Sequence, residues 1–228
     1  MFIFDVYLSS TECLPVTSFQ PYAILPLQPW SGGLDAKYRM LSYRHLNGFI
    51  SLTRDRDTGS VFMDPETGEP RINYVVSDFD RAHTLEGVQA LAKLCYVSGA
   101  SEIRAHFPEM PTFIAEDGGA AQRAHVKGTD PEFTDAAFGA WLRRVREVGN
   151  KPPVSVWSSA HQMGTCRMSG SSDRGVVDGG GRVWGRKNLY VADASVFPSA
   201  SGVNPMMTLM SLADWISRGV VRDLAKDG

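Results

Sequence analysis

Apolar residues recur at helical spacing in three stretches of the chain and at strand spacing in several shorter ones. From Asp80, DRAHTLEGVQALAKLCYVSGA places Leu85, Val88, Leu91, Ala92, Leu94 and Cys95 near one face, with Gly99 as the stop. TDPEF opens a second helix, with Thr129 or Asp130 as cap and Pro131 in the first turn, where a proline is tolerated. Phe133, Phe138, Trp141, Leu142 and Val145 form its apolar stripe, and Gly149 ends it. The third helix is PMMTLMSLADWISRGVVRDLAK, with Asn204 as candidate cap and Pro205 at the first position.

Between these helices the pattern shortens. NGFISLTRDRDTGSVFMD sets Phe49, Ile50 and Leu52 before an Asp-Thr-Gly turn and Val61 and Phe62 after it. DPETGEPRINYVVS adds another glycine turn and a β-rich run from Ile72 to Val76, so the region 22–80 predicts antiparallel hairpins. GVVDGGGRVWG predicts a hairpin turning at Asp178-Gly179, and NLYVAD a short buried strand ending on an acid. EDGGAAQRAHVKGTD, which carries His125, reads as a loop. The elements together predict a mixed α+β chain.

Composition narrows the picture without deciding it. The 228 residues are 43% hydrophobic and 21% charged, ordinary for a globular protein, and the formal net charge of −2 favours neither nucleic acid nor an anionic membrane. The basic run in WLRRVREVG reads as a solvated helix face. Cys13, Cys95 and Cys166 are odd in number and far apart, which suits neither a disulfide framework nor a zinc site. Cys95 fits a small core residue. No apolar run is long enough for a transmembrane helix, MFIFDVYLSSTECLPV lacks the basic start of a signal peptide, and LAKDG carries no targeting address. The expectation is an intracellular chain. No phosphate-cradling Gly-x-Gly-x-x-Gly opens a helix; the run Gly179–Gly181 sits in a predicted turn.

The candidate chemistry gathers in SSAHQMGTCRM, residues 158–168. His161 could be a packed core histidine, half of a thiol–histidine pair with Cys166, a metal ligand or a general base. Neighbours in sequence rarely meet in nucleophile geometry, and no spaced ligand set accompanies His161, so the pair and the metal are the weaker readings. Asn204 suits a helix N-cap. An apolar, uncharged first turn after it suggests that this helix end is buried against something electron-rich. Asp193 is either a ligand-contacting acid at a strand end or a turn former.

Taken together, HQMGTCRM and GVVDGGGRVWGRKNLYVADASVFPSASGVNPMMTLMSLA resemble the C-terminal signature of the glucose–methanol–choline (GMC) flavin oxidoreductases. The signature's blocks stand in the family's order and spacing. SGVNPMMT resembles the long-chain (fatty) alcohol oxidase branch and, more distantly, the cholesterol oxidases. PWSGGLDAKYRML, FISLTRDRDTGSVFMD and INYVVSDFDRAHTLEGVQALAKLCYVSGASEI are similar to the same branch, so the resemblance covers roughly 22–228.

The resemblance implies a domain plan and a site. Residues 22–170 would be a substrate-binding domain of mostly antiparallel sheet plus helices. Residues 171–228 would supply the last strand and helix of an FAD-binding α/β domain, and 1–21 stay unassigned. His161 would be the general base and Asn204 the partner of the substrate oxygen. Asp193, Ala194, Gly202, Val203, Pro205 and Met206 would contact FAD, and no metal is implied. The substrate would be a long-chain primary alcohol, oxidised to an aldehyde with O2 as electron acceptor. Membrane association or a peroxisomal address would belong to a full-length form, and the oligomeric state is left open. The missing glycine-rich motif implies a C-terminal fragment that is inactive alone. A non-catalytic orphan module and a sterol- or other-alcohol-oxidising family member are the alternatives.

Overall fold

The computed structural model describes residues 2–8, 32–42, 45–107, 109–116, 129–152, 155, 157 and 159–227. In chain order the elements are β1 Phe2–Leu8, α1 Gly33–Leu41, β2 Leu46–Ser51, β3 Ser60–Met63, β4 Pro70–Asn73, α2 Asp78–Val97, β5 Ala100–Ala105, β6 Phe113–Ile114, α3 Pro131–Thr134, α4 Ala136–Val148 and α5 Met206–Asp227. Helices and small antiparallel sheets make this an α+β protein. The chain divides into two compact units, Met1–Thr53 with Arg81–Ser158 and Arg54–Asp80 with Ser159–Gly228. Cys13 and the expected loop around His125 lie outside the described residues.

The first unit is built on a four-stranded sheet in the order β2-β1-β5-β6. β1 pairs antiparallel with both neighbours, Phe4 facing Phe49 on β2 and Ala105 on β5. The unassigned start of the chain therefore holds an inner strand. Val88, Ala92 and Cys95 of α2 share one core with Ile103, Phe113, Phe138, Trp141, Leu142 and Val145. Tyr96 stacks on Phe138 at 4.2 Å between ring centroids, and Phe113 meets the edge of Phe138 at 5.2 Å. Buried aromatics with polar tips need partners. The Tyr96 hydroxyl donates to Asp135 at 2.6 Å and the Trp141 indole N–H to the Pro111 carbonyl at 2.7 Å.

The predicted second helix is two helices. Asp130 caps α3 by accepting from the Glu132 N–H, and Asp135 then leaves the helical region and caps α4 by accepting from the Phe138 N–H. That break turns Phe133 out to 84% exposure, so it leaves the apolar stripe. Leu94 is also outside the core, at 41% exposure. GLDAKYRML, within the expected β region, forms α1, held by an Asp35–Arg39 pair one turn apart.

In the second unit the hairpin is β3–β4, turning through PETGE with Ser60 opposite Asn73. The Asp-Thr-Gly segment is not the hairpin turn, because β2 pairs with β1 instead. The neck of this excursion closes on the buried Asp80 carboxylate, which accepts from the N–H groups of Arg56 and Asp57 and from the Ser77 hydroxyl. Val177, Val196 and Ile216 form a small core, with Met168, Val183, Val191 and Leu212 packed around it. The turn at Asp178-Gly179 is present: Val177 bridges Val183, and the Asp178 carboxylate accepts from the Gly180 and Arg182 N–H groups. NLYVAD departs from the expected buried parallel strand. Its ladder reduces to one antiparallel bridge, Arg182 to Tyr190, and Leu189 is 50% exposed.

Candidate functional site

The candidate site residues His161, Asp193, Ala194 and Gly202 to Met206 all fall in the second unit. The segment carrying His161 is laced to the one carrying Asp193 and Ala194 by three backbone hydrogen bonds. Gly164 N–H donates to the Ala194 carbonyl at 3.2 Å, Cys166 N–H to Ser195 at 2.9 Å and Met168 N–H to Val196 at 2.8 Å. Gly164 has φ +87°, and a Cβ there would stand 3.3 Å from the Phe197 carbonyl oxygen, so the residue type serves this close lacing. Two stretches thirty residues apart in sequence thus run side by side.

His161 is half-buried, and its N–H donates to the Ser159 hydroxyl at 3.3 Å. Its imidazole has no hydrogen-bond partner among the described residues, Cys166 included, which sets the thiol–histidine pair aside. Cys166 is half-buried and takes part in the lacing through its backbone.

Asp193 acts as a turn former. Its carboxylate accepts from the Ser195 N–H at 2.8 Å and caps the single 3-10 turn Ala194–Val196. Hydrogen bonds from the Ser195 hydroxyl and N–H hold its carboxyl below the usual aspartate range.

Gly202, Val203, Asn204, Pro205 and Met206 follow as one exposed to half-buried run. The first hydrogen bond of α5 runs from Leu209 N–H to the Pro205 carbonyl. Pro205 therefore stands at the helix boundary and Asn204 lies just outside it, so Asn204 is not the N-cap. Its side-chain amide makes no hydrogen bond among the described residues. The expected burial of this helix end is not found. Met206 and Met207 are 63% and 68% exposed, and the first turn holds no acidic residue. Among the described residues, this helix N-terminus carries exposed apolar side chains and no acid in its first turn, and the first N–H groups of a helix lack intrahelical partners.

The model of the GMC oxidoreductase family matches residues 47–213. The chain belongs to this family. Among relatives, the long-chain-alcohol oxidase FAO3 of Arabidopsis thaliana is 34% identical over 90% of this chain and 25% of its own length. The long-chain-alcohol oxidase FAO4B of the same plant is 32% identical over 90% of this chain and 25% of its own. A cholesterol oxidase of Acinetobacter baumannii is 50% identical over a shorter stretch, 25% of this chain and 10% of its own. The chain spans about a quarter of the length of the long-chain-alcohol oxidases it matches.

Within this GMC chain the structure adds Arg54, which reaches the Ser199–Gly202 stretch from 145 residues away. In sequence, Arg54 is one charge in a charged turn, and nothing in the pattern of LTRDRD separates it from its neighbour Arg56. No helix among the described residues is long and apolar enough to cross a membrane.

Proposed function

We propose that this chain is the C-terminal portion of an FAD-dependent long-chain alcohol oxidase. One observation carries the reading: His161 and Asn204, in the same unit, both present polar side chains with no hydrogen-bond partner among the described residues. Such groups are available to a ligand. The residues also suit a flavin at the ring end, since the open N-terminus of α5 offers N–H groups and a partial positive charge without an acid to compete. They offer no glycine-rich pyrophosphate cradle. FAD, when bound, would supply the two-electron acceptor for the hydride leaving the alcohol carbon.

The chain's own residues would do the rest. Asn204 would donate from its amide to the substrate oxygen and fix the carbon beside it. The half-buried His161 imidazole would take the hydroxyl proton as the hydride departs, because an alcohol gives up hydride readily only as its proton leaves. The first-turn N–H groups of α5 would stabilise negative charge developing nearby. Gly202, Val203, Pro205 and Met206 would contact FAD, with Asp193 and Ala194 alongside. O2 would receive the electrons. The short, closer match to a cholesterol oxidase supports a sterol as the second reading of the substrate class.

The exposed side of α5 supports the larger protein this reading needs. Met206, Met207, Met210, Trp215, Val221 and Leu224 are each at least 57% exposed, and among the described residues Ile216 is the one large apolar side chain of α5 that is buried. Apolar surface on that scale is ordinarily covered. Residues 1–228 alone are therefore expected to bind FAD weakly, and tight stoichiometric binding in a flavin titration would refute this. The activity is tested in a chimera in which this chain replaces the corresponding quarter of a long-chain-alcohol oxidase. Flavin reduction by a long-chain primary alcohol is expected, and its loss in His161→Ala with flavin still bound. Retention of most of the rate in that variant removes the general-base role.

A further inference from the structure

Asn204 lies at the end of an irregular stretch that a residue from a distant part of the sequence holds in place. Val196 and Phe197 are buried at 0% and 4% exposure, and α5 begins at Met206. Between them the chain has no regular structure. The Arg54 side chain crosses it. Arg54 Nε donates to the Ala200 carbonyl at 3.0 Å, and Nη2 donates to the Ser199 hydroxyl at 3.1 Å. The stem lies along Gly202, where an added Cβ would stand 3.0 Å from Arg54 Cβ and 3.5 Å from Cγ and Cδ. Gly202 itself has φ +69°, in the left-handed region. Among the described residues, these two are the only hydrogen bonds that reach residues 198–204 from elsewhere in the chain; the Ser201 hydroxyl to Val203 carbonyl bond is local.

We propose that Arg54 is a positioning residue for Asn204. Its head fixes residues 199 and 200 and its stem fixes 202, so the clamp sets the direction in which the chain delivers Asn204 and the open end of α5. A planar guanidinium can serve two acceptors on successive residues at once, whereas a lysine ammonium on a flexible stem holds them loosely. The clamp is exposed to solvent, so its effect falls on the order of this stretch and not on global stability. The proposal rests on Asn204 being the anchor of the substrate oxygen.

The first measurement uses the full chain. Arg54→Met keeps the stem against Gly202 and removes both donors. The backbone amide order parameters of residues 199–204 are expected to fall below about 0.6, while those at 164–168 and 177–183 and the unfolding midpoint stay unchanged. Unaltered order parameters at 199–204 overturn the proposal. The second measurement uses the flavin-loaded chimera. Arg54→Met is expected to lower kcat on the order of tenfold with little change in KM, as a displaced positioning group does. Arg54→Lys is expected to recover part of that loss. In an Asn204→Ala background, Arg54→Met should cost nothing further, and a fully additive loss overturns the positioning role. If Asn204→Ala alone leaves kcat intact, the anchor reading of Asn204 falls, and with it the delivery of a working group by Arg54. The order-parameter result then still decides whether Arg54 orders the stretch.

Discussion

The two units of this chain reach order by different means. The first buries a continuous core of aliphatic and aromatic side chains from α2, β5, β6 and α4, centred on Phe138. The second has a core of three fully enclosed residues, and its irregular stretches are tied by backbone lacing, carboxylate-capped turns and charged side chains. Packing tolerates little displacement, since a buried ring is held from every side. Hydrogen-bonded turns instead leave side chains free to face outward. That freedom leaves the His161 imidazole and the Asn204 amide without hydrogen-bond partners among the described residues.

Breaking the denser core should give the largest effect. Phe138→Ala is expected to cost about 3–5 kcal/mol, the range for emptying a fully buried aromatic site. Urea unfolding measures the loss, and hydrogen exchange should rise across 88–105 while 177–216 keeps its protection, since the two cores share no residue. Ile216→Ala removes a third of the smaller core and should cost about 2–3 kcal/mol. Its exchange signature is the reverse, with protection lost in α5 and around Val177 and Val196.

The charged ties of the second unit give a smaller, pH-dependent contrast. Asp223 on α5 accepts from the Tyr190 hydroxyl at 2.8 Å and from Arg182 Nε at 3.0 Å. The Tyr190 hydrogen bond, then the Arg182 bond and charge, hold its carboxyl below the usual aspartate range. A lowered carboxyl stabilises the folded state above its unfolded value and loses that contribution as pH falls through its folded value. Asp223→Asn should therefore lower the melting temperature near neutral pH. The difference from wild type should close as pH drops below about 4, the ordinary aspartate value. A constant difference down to acid pH would show that shape and not charge makes the tie. The smallest effect belongs to Phe133, at 84% exposure: Phe133→Ser should stay within about 0.5 kcal/mol in urea unfolding, against the several expected for Phe138 five residues away.

Much of the first unit was legible in sequence because its helices carry both periodicity and punctuation. The face Val88, Ala92, Cys95 and the face Phe138, Trp141, Leu142, Val145 are buried as the spacing predicts, and Gly99 and Gly149 stand just past the helix ends. Phe133 misled because Asp130 and Asp135 both have capping chemistry, and only the fold shows that both are used. β1 was missed because its pairing with β2 and β5 spans more than forty residues on one side and nearly a hundred on the other. The strand NLYVAD was over-read: its composition suits burial, but among the described residues it finds only a single bridge.

By itself the sequence determined the family, the α+β character and the identity of the candidate groups, because motif order, helix periodicity and turn chemistry are local properties of the chain. Tertiary structure alone decided that the His161 block runs beside Ala194–Val196, that Asp193 is spent on a turn and that Asn204 stands outside its helix. It alone connects Arg54 to the stretch before α5. The lacing and the Arg54 contact depend on where two distant segments meet, and a contact across 145 residues leaves no period, spacing or cap in the sequence that could announce it.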